Sequence, residues 1–177
     1  MTDQVVIRPA TPADLPDIQR IYGHHVMTGL ASFEEIAPDL AEMTRRFTTL
    51  VEAGFPYLVA ELDGRVVGYS YCGPYRPRPA YRYSVENSVY LAPESAGRGI
   101  GRLLLSALIE RAIALGKRQM VAVIGDSANH ASIGLHQALG FRRVGVIEGA
   151  GFKHGRWVDS VLMQRALGPG LTQPPSA

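Results

Sequence analysis

One carboxylate interrupts an apolar run in "YSVENSVYLA", residues 83–92. Strand alternation puts Glu86 on one face with Ser84 and Ser88, opposite Val85 and Asn87. Burial there would raise its pKa above the usual value of about 4.3 and make it a better base toward an ammonium group. A solvated strand face, or an ion pair with Arg82, accounts for the same residue. Shortly afterwards Gly97, Gly99 and Gly101 alternate with Arg98, Ile100 and Arg102 at the start of a helical pattern. Glycine lets backbone N–H groups approach a ligand closely. The first N–H groups of a helix have no internal partner and carry partial positive charge, so such a loop suits phosphate, with Arg98 and Arg102 as added cations. A Walker loop would end in Gly-Lys-Ser/Thr, where this chain has Gly101-Arg102-Leu103, and a dinucleotide fingerprint would have glycine at position 102. A glycine-rich turn into a helix with no ligand is the plain alternative.

Other candidates are scattered. His136 in "LHQALGF" titrates near neutrality and can donate a proton, or is simply packed on its helix. Asn129 starts the same helix, as a ligand contact or as an N-cap. The five histidines have no acidic or cysteine cluster around them, so no metal site is expected. Cys72, the only cysteine, has no readable partner, forms no internal disulfide and fits a reducing, cytoplasmic setting as core packing.

These residues need a frame. The chain has 177 residues, 46% hydrophobic and 19% charged, with net charge +2. That is enough for one domain, residues 1–167, followed by a Gly/Pro-rich tail at 168–177 expected to be disordered. The short Arg pairs do not make a basic stripe, so no nucleic-acid partner is expected. No apolar run reaches about 18 residues and no signal peptide is visible, so no membrane partner is expected either. "VVIRPA" reads as a strand. Thr11 and Pro12 then open a helix bearing Ile18, Ile21, Tyr22 and His25 on one face. A second helix is expected from about Pro38 to Ala53. Asp63-Gly64 joins two strands as a hairpin. The Glu86 strand, a helix from about Gly99 to Leu115, the apolar strand "QMVAVIG" buried on both faces, and a short helix ending at Gly140 follow. "RRVGVIEG" and "RWVDSVLMQRAL" close the chain as strands around a loop "AGFKHG". The result is an α/β (α+β) domain, a mixed but mostly antiparallel sheet with about four helices.

"AGRGIGRLLLSALIERA" resembles the pyrophosphate loop Gln/Arg-x-x-Gly-x-Gly/Ala of the GNAT acetyltransferases, with Ala96 where the motif has Gln or Arg. The resemblance runs from about Val6 to Arg165. "SVENSVYL", "AVIGDSANHASIGLHQALGF" and "GFKHGRWVD" are similar to blocks of the phosphinothricin and methionine sulfoximine acetyltransferase subfamily. The resemblance implies the GNAT fold, acetyl-CoA as cosubstrate held by residues 96–102, and main-chain pairing of Val89, Tyr90 and Leu91 with the pantetheine arm. It implies Asn129 as a further contact to that arm and Glu86 as general base. It also implies His136, where many members have Tyr, as proton donor to the departing thiolate or as a CoA contact. For the acceptor it points to Phe33 and Glu34 between the first helices, to Val85 and Asn87 beside the base, and to Lys153. Tyr75, Arg76, Arg78 and Tyr81 lie in the proline-stiffened loop before Glu86, where an arginine fork suits a carboxylate or is merely a solvated loop. The implied acceptor is a small amine of phosphinothricin, methionine sulfoximine or methionine sulfone type, and the implied assembly a homodimer. Two alternatives stay open: a non-catalytic CoA-binding regulatory domain, and an acetyltransferase for a different amine or a protein N-terminus.

Overall fold

The structure, a computed structural model, describes residues 4–175. Its strands and α-helices run in the order β1 (Val6–Pro9), α1 (Leu15–Thr28), α2 (Leu40–Glu52), β2 (Tyr57–Leu62), β3 (Arg65–Pro74), β4 (Ser84–Leu91), α3 (Ile100–Ala114), β5 (Gln119–Gly125), α4 (His130–Ala138), β6 (Arg142–Lys153) and β7 (Arg156–Ala166). They build one sheet of order β1-β2-β3-β4-β5-β7-β6. Every neighbouring pair is antiparallel except β4 and β5, so the expected mixed, mostly antiparallel architecture is present. The expected tail reaches Ser176 and Ala177, which lie outside the described residues. Within 168–175 the Gly170 N–H donates to the Leu167 carbonyl and Arg118 to that of Pro174.

Local chemistry explains the elements. Thr11 and Pro12 start α1 through a 3-10 turn at Pro12–Asp14. The Asp14 carboxylate accepts from the Thr11 N–H (2.7 Å) and hydroxyl (2.9 Å), and Arg8 grips it from β1. Asp39 caps α2 by accepting from the Glu42 N–H at 2.8 Å. Asp63 and Gly64 both have positive φ, 49° and 76°, as a two-residue hairpin turn of type I′ requires.

Alternation along the strands divides the core. One face of the sheet packs Leu58, Met120, Ala122 and Ile124 against Ile100, Leu104, Leu108 and Ala112 of α3. The other packs Tyr57, Val59 and Tyr69 against Ile18, Ile21 and Val26 of α1 and Met43 and Phe47 of α2. The fold corrects two expectations. The apolar strand β5 is not buried on both faces: Met120, Ala122 and Ile124 are interior, but Val123 is 37% exposed because the sheet opens beside it. "AGFKHG" is not a loop either. Bulges between Arg143 and Gly145 and between Ile147 and Gly151 carry β6 on to Lys153, and only His154-Gly155 turns.

The opening is the feature that positions the site. β4 and β5 pair only where Ser84–Asn87 lie against Gln119–Ala122. β4 then continues to Leu91 alongside β3 alone. The two parallel strands therefore fork just past Asn87.

Candidate active site

A cleft of about 750 Å³ enters this fork. Val89, Tyr90 and Leu91 line one side, Gly125 and Asn129 another, and the glycine loop closes the end. Gly97 and Gly99 have φ of 75° and 77°, and a Cβ on either would meet nothing within 4 Å. Glycine is thus required by backbone conformation, and the space it leaves is open. The amides of Gly97, Gly99, Ile100 and Gly101 have no hydrogen-bond partner among the described residues. Four donors at the positive end of α3 make a cradle for phosphate. Ala96 and Arg102 line the cleft, and Arg98 is exposed beside it. Ile100 contributes only its amide, since its side chain is fully buried in the core. Gly101 also matters for packing. A Cβ there would lie 3.3 Å from Leu135, so its absence lets α3 and α4 approach.

Glu86 stands on β4 at the last paired residues before the fork, opposite Val121. It is half-buried. Burial pushes its carboxyl pKa up, and the Arg76 charge pulls it partly back. The expected alternative of an Arg82 pair does not form: Arg82 lies over the Tyr83 ring and donates to the Pro79 carbonyl. On the opposite face Asn87 Nδ2 donates to the Val121 carbonyl (3.1 Å), and its Oδ1 lies 3.0 Å from His136 Nε2. His136 Nδ1 is 2.8 Å from the Ser132 carbonyl, and burial pushes this imidazole pKa down. Asn129 accepts from the Ser132 N–H (3.2 Å), so it caps α4 while lining the cleft.

The loop between α1 and α2 is fastened on both sides of the fork. The Leu30 carbonyl would fall 2.2 Å from a Cβ on Gly125, and the Phe33 ring 2.3 Å from one on Gly151. Lys153, only 2% exposed, donates to the Ser32 carbonyl at 2.7 Å. Glu34 accepts from Tyr22 and Arg46, at 2.8 and 2.6 Å. On the far side Arg76 lies over the Tyr75 ring, whose edge meets Tyr81.

A profile described as "Acetyltransferase (GNAT) domain" matches residues 7–162. The chain belongs to the GNAT acetyltransferase family. It is 53% identical over 169 residues to a phosphinothricin N-acetyltransferase of Alcaligenes faecalis, covering 96% of this chain and 86% of that one. It is 45% identical to an L-methionine sulfoximine/L-methionine sulfone acetyltransferase of Pseudomonas aeruginosa, covering 95% and 98%. A GNAT phosphinothricin acetyltransferase of Sinorhizobium meliloti, crystallised with acetyl-CoA, superposes with a TM-score of 0.94 at 49% identity, covering 97% and 93%.

Against that family pattern, the structure brings Glu86, Val89–Leu91, the glycine loop and Asn129 to one fork. It sets other expected residues elsewhere. Val85 is fully buried in the core on the α3 face, the face of β4 opposite Glu86. Glu34 spends its hydrogen bonds on Tyr22 of α1 and Arg46 of α2, and Lys153 its own on the Ser32 carbonyl. Arg78 and Tyr81 are exposed, and only Arg76 is close enough for its charge to act on Glu86. Several lining residues were not expected from sequence. His25 Nε2 donates to the Leu91 carbonyl (2.7 Å), and Thr28, Gly29 and Leu30 complete that wall. The only signal for His25 was its place on the buried face of α1.

Proposed function

We propose that this protein transfers the acetyl group of acetyl-CoA to the amine of a small amino-acid-like acceptor of phosphinothricin, methionine sulfoximine or methionine sulfone type, with Glu86 as general base. Membership of the family makes it an acetyl-CoA-dependent N-acetyltransferase. The finer reading rests on the named activities of its relatives and on one observation: a half-buried carboxylate of raised pKa at the root of the fork.

Acetyl-CoA supplies the acetyl group as an activated thioester. The glycine cradle fits its phosphates, because open donors and open space coincide there. The main chain of Val89, Tyr90 and Leu91 has no β5 neighbour; the Leu91 carbonyl is taken by His25, and the groups of this stretch that face the fork bond the pantetheine amides. Amides of this stretch also donate to the thioester oxygen as negative charge grows on it. Glu86 accepts the amine proton, directly or through one water, and its raised pKa suits it to that work. Arg76 draws the acceptor carboxylate toward Glu86. His136 holds the fork: both its ring nitrogens already face hydrogen-bond partners.

A homodimer is part of this reading. Val144, Ile147, Phe152 and Trp157 of the β6–β7 edge are 52%, 53%, 55% and 70% exposed, a patch suited to burial against a second copy. Sedimentation equilibrium checks it.

The function is tested by release of free thiol from acetyl-CoA against a panel of amino acids, their sulfone, sulfoximine and phosphinate analogues, and a peptide with a free N-terminus. Turnover confined to the peptide, or no turnover at all, sinks the proposal.

A further inference from the structure

A second cavity, of about 280 Å³, lies between α2 and the sheet, on the opposite face from α3. Tyr22, Tyr57, Tyr69 and Tyr71 line it, with Met43 and Arg46 from α2. The rings pack on one another: Tyr57 on Tyr71 at 4.9 Å, Tyr57 on Tyr69 at 5.9 Å, Tyr69 on Tyr90 at 5.4 Å. Such a layer is rigid, so the hydroxyls are fixed in place.

Two of those hydroxyls are spare. Tyr57 and Tyr69 are 6% and 1% exposed; neither hydroxyl bonds another described residue, and neither is a sealed polar atom, so both open onto the cavity. Burial pushes both phenol pKa values up, so both remain O–H donors. Phenol hydroxyls buried around a cavity are satisfied by what fills it. The charges at the rim cancel: Arg46 is held by Glu34 and Glu42, and Arg45 by Glu42. Recognition in this cavity therefore falls to hydroxyl donors.

The cavity also lies within reach of the base. Tyr71 pairs with Ser88, and its phenol feels the Glu86 charge. Ser88 and Glu86 share a strand face two residues apart, about 7 Å. Tyr71 thus sets the near wall of the cavity beside Ser88, and Tyr57, across from it on β2, and Tyr69, two residues along β3, form the part further from the base.

We propose that this cavity takes the side chain of the acceptor, with the Tyr57 and Tyr69 hydroxyls donating to the oxygens of a sulfone, sulfoximine or phosphinate end. The inference rests on the acceptor reading above and deepens it. Thioether and alkyl side chains of the same length fill the cavity but leave its donors unmet, and so bind less well.

The test compares Tyr57→Phe, Tyr69→Phe and the double variant with wild type. Acceptors are methionine sulfone and sulfoximine on one side, methionine and norleucine on the other. The ratio of kcat/KM for the oxo acids to that for methionine should fall about tenfold per hydroxyl, while the acetyl-CoA KM stays put. An unmoved ratio in folded variants overturns the pocket and leaves the acceptor reading standing. A wild-type enzyme that turns over none of the oxo acids overturns both. A second measurement needs no variant: titrating wild type with methionine sulfone, but not with methionine, should red-shift the tyrosine absorbance near 280 nm. The absence of that difference also overturns the pocket.

Discussion

Asn87 Oδ1 and His136 Nε2 meet at 3.0 Å across the root of the β4–β5 fork. Asn87 Nδ2 is already given to the Val121 carbonyl, so the oxygen faces the ring. The other ring nitrogen faces the Ser132 carbonyl. Both neighbours are acceptors, so the imidazole satisfies both only when it carries two protons, and burial works against that charge. The contact ties α4 to β4 where the cofactor cleft begins. His136→Phe should therefore lower the melting temperature and raise the acetyl-CoA KM severalfold, with a smaller change in kcat. A collapse of kcat at unchanged KM would instead make His136 the proton donor to the departing thiolate.

Gly99 has φ of 77° and open space where a side chain would begin. Gly99→Val strains the turn and fills the phosphate cradle. Its affinity for CoA, by calorimetry, should fall at least tenfold, about 1.4 kcal/mol. Unchanged affinity in a folded variant would put the phosphates elsewhere.

These two sites differ in how far the sequence reveals them. The glycine loop is local: three glycines before an apolar helix specify both backbone and donors, and β1 to β5 follow from hairpin, cap and alternation signals of the same kind. The fork is not local. It depends on where β4 stops pairing with a strand that follows it only after a whole helix, and no short stretch encodes that. The family resemblance points to Lys153 and Glu34 as acceptor residues. Their partners, Ser32 and Arg46, become visible only when α1, α2 and β6 are brought together.

Arg76 is exposed, yet its charge lowers the Glu86 pKa. Arg76→Ala should raise the acceptor KM by about tenfold and the acetyl-CoA KM far less, as expected for a lost carboxylate contact. It should also move the acidic limb of the rate profile to higher pH, because the opposing positive charge is gone. A rise confined to the acetyl-CoA KM would assign Arg76 to the cofactor.

Arg8 holds the Asp14 carboxyl down to about 2, from an ordinary value of 3.8. A depressed folded-state pKa means stability present above the unfolded value and lost as pH falls through the folded one. Wild-type urea midpoints should therefore drop between about pH 4 and pH 2. Asp14→Asn, destabilised by about 1–3 kcal/mol at neutral pH, should show a flatter profile over that range. Parallel profiles would remove this pair from acid sensitivity.

Glu86 is the central test. Its carboxyl is half-buried, its pKa is raised by desolvation, and it stands at the last paired residues of β4 and β5. Glu86→Gln keeps the shape and removes the basicity. General base catalysis is typically worth about a hundredfold or more, so kcat should fall by that order while CoA affinity holds. The acidic limb of kcat/KM reports ionisation of the base in the free enzyme. In wild type that limb should lie above the ordinary carboxylate range, and in the variant it should vanish. The amine itself titrates at higher pH, so the basic side of the curve discriminates poorly. Near-normal kcat with the acidic limb intact would remove Glu86 from the mechanism. The proton would then have to leave through water, since the ring nitrogens of His136 already face Ser132 and Asn87.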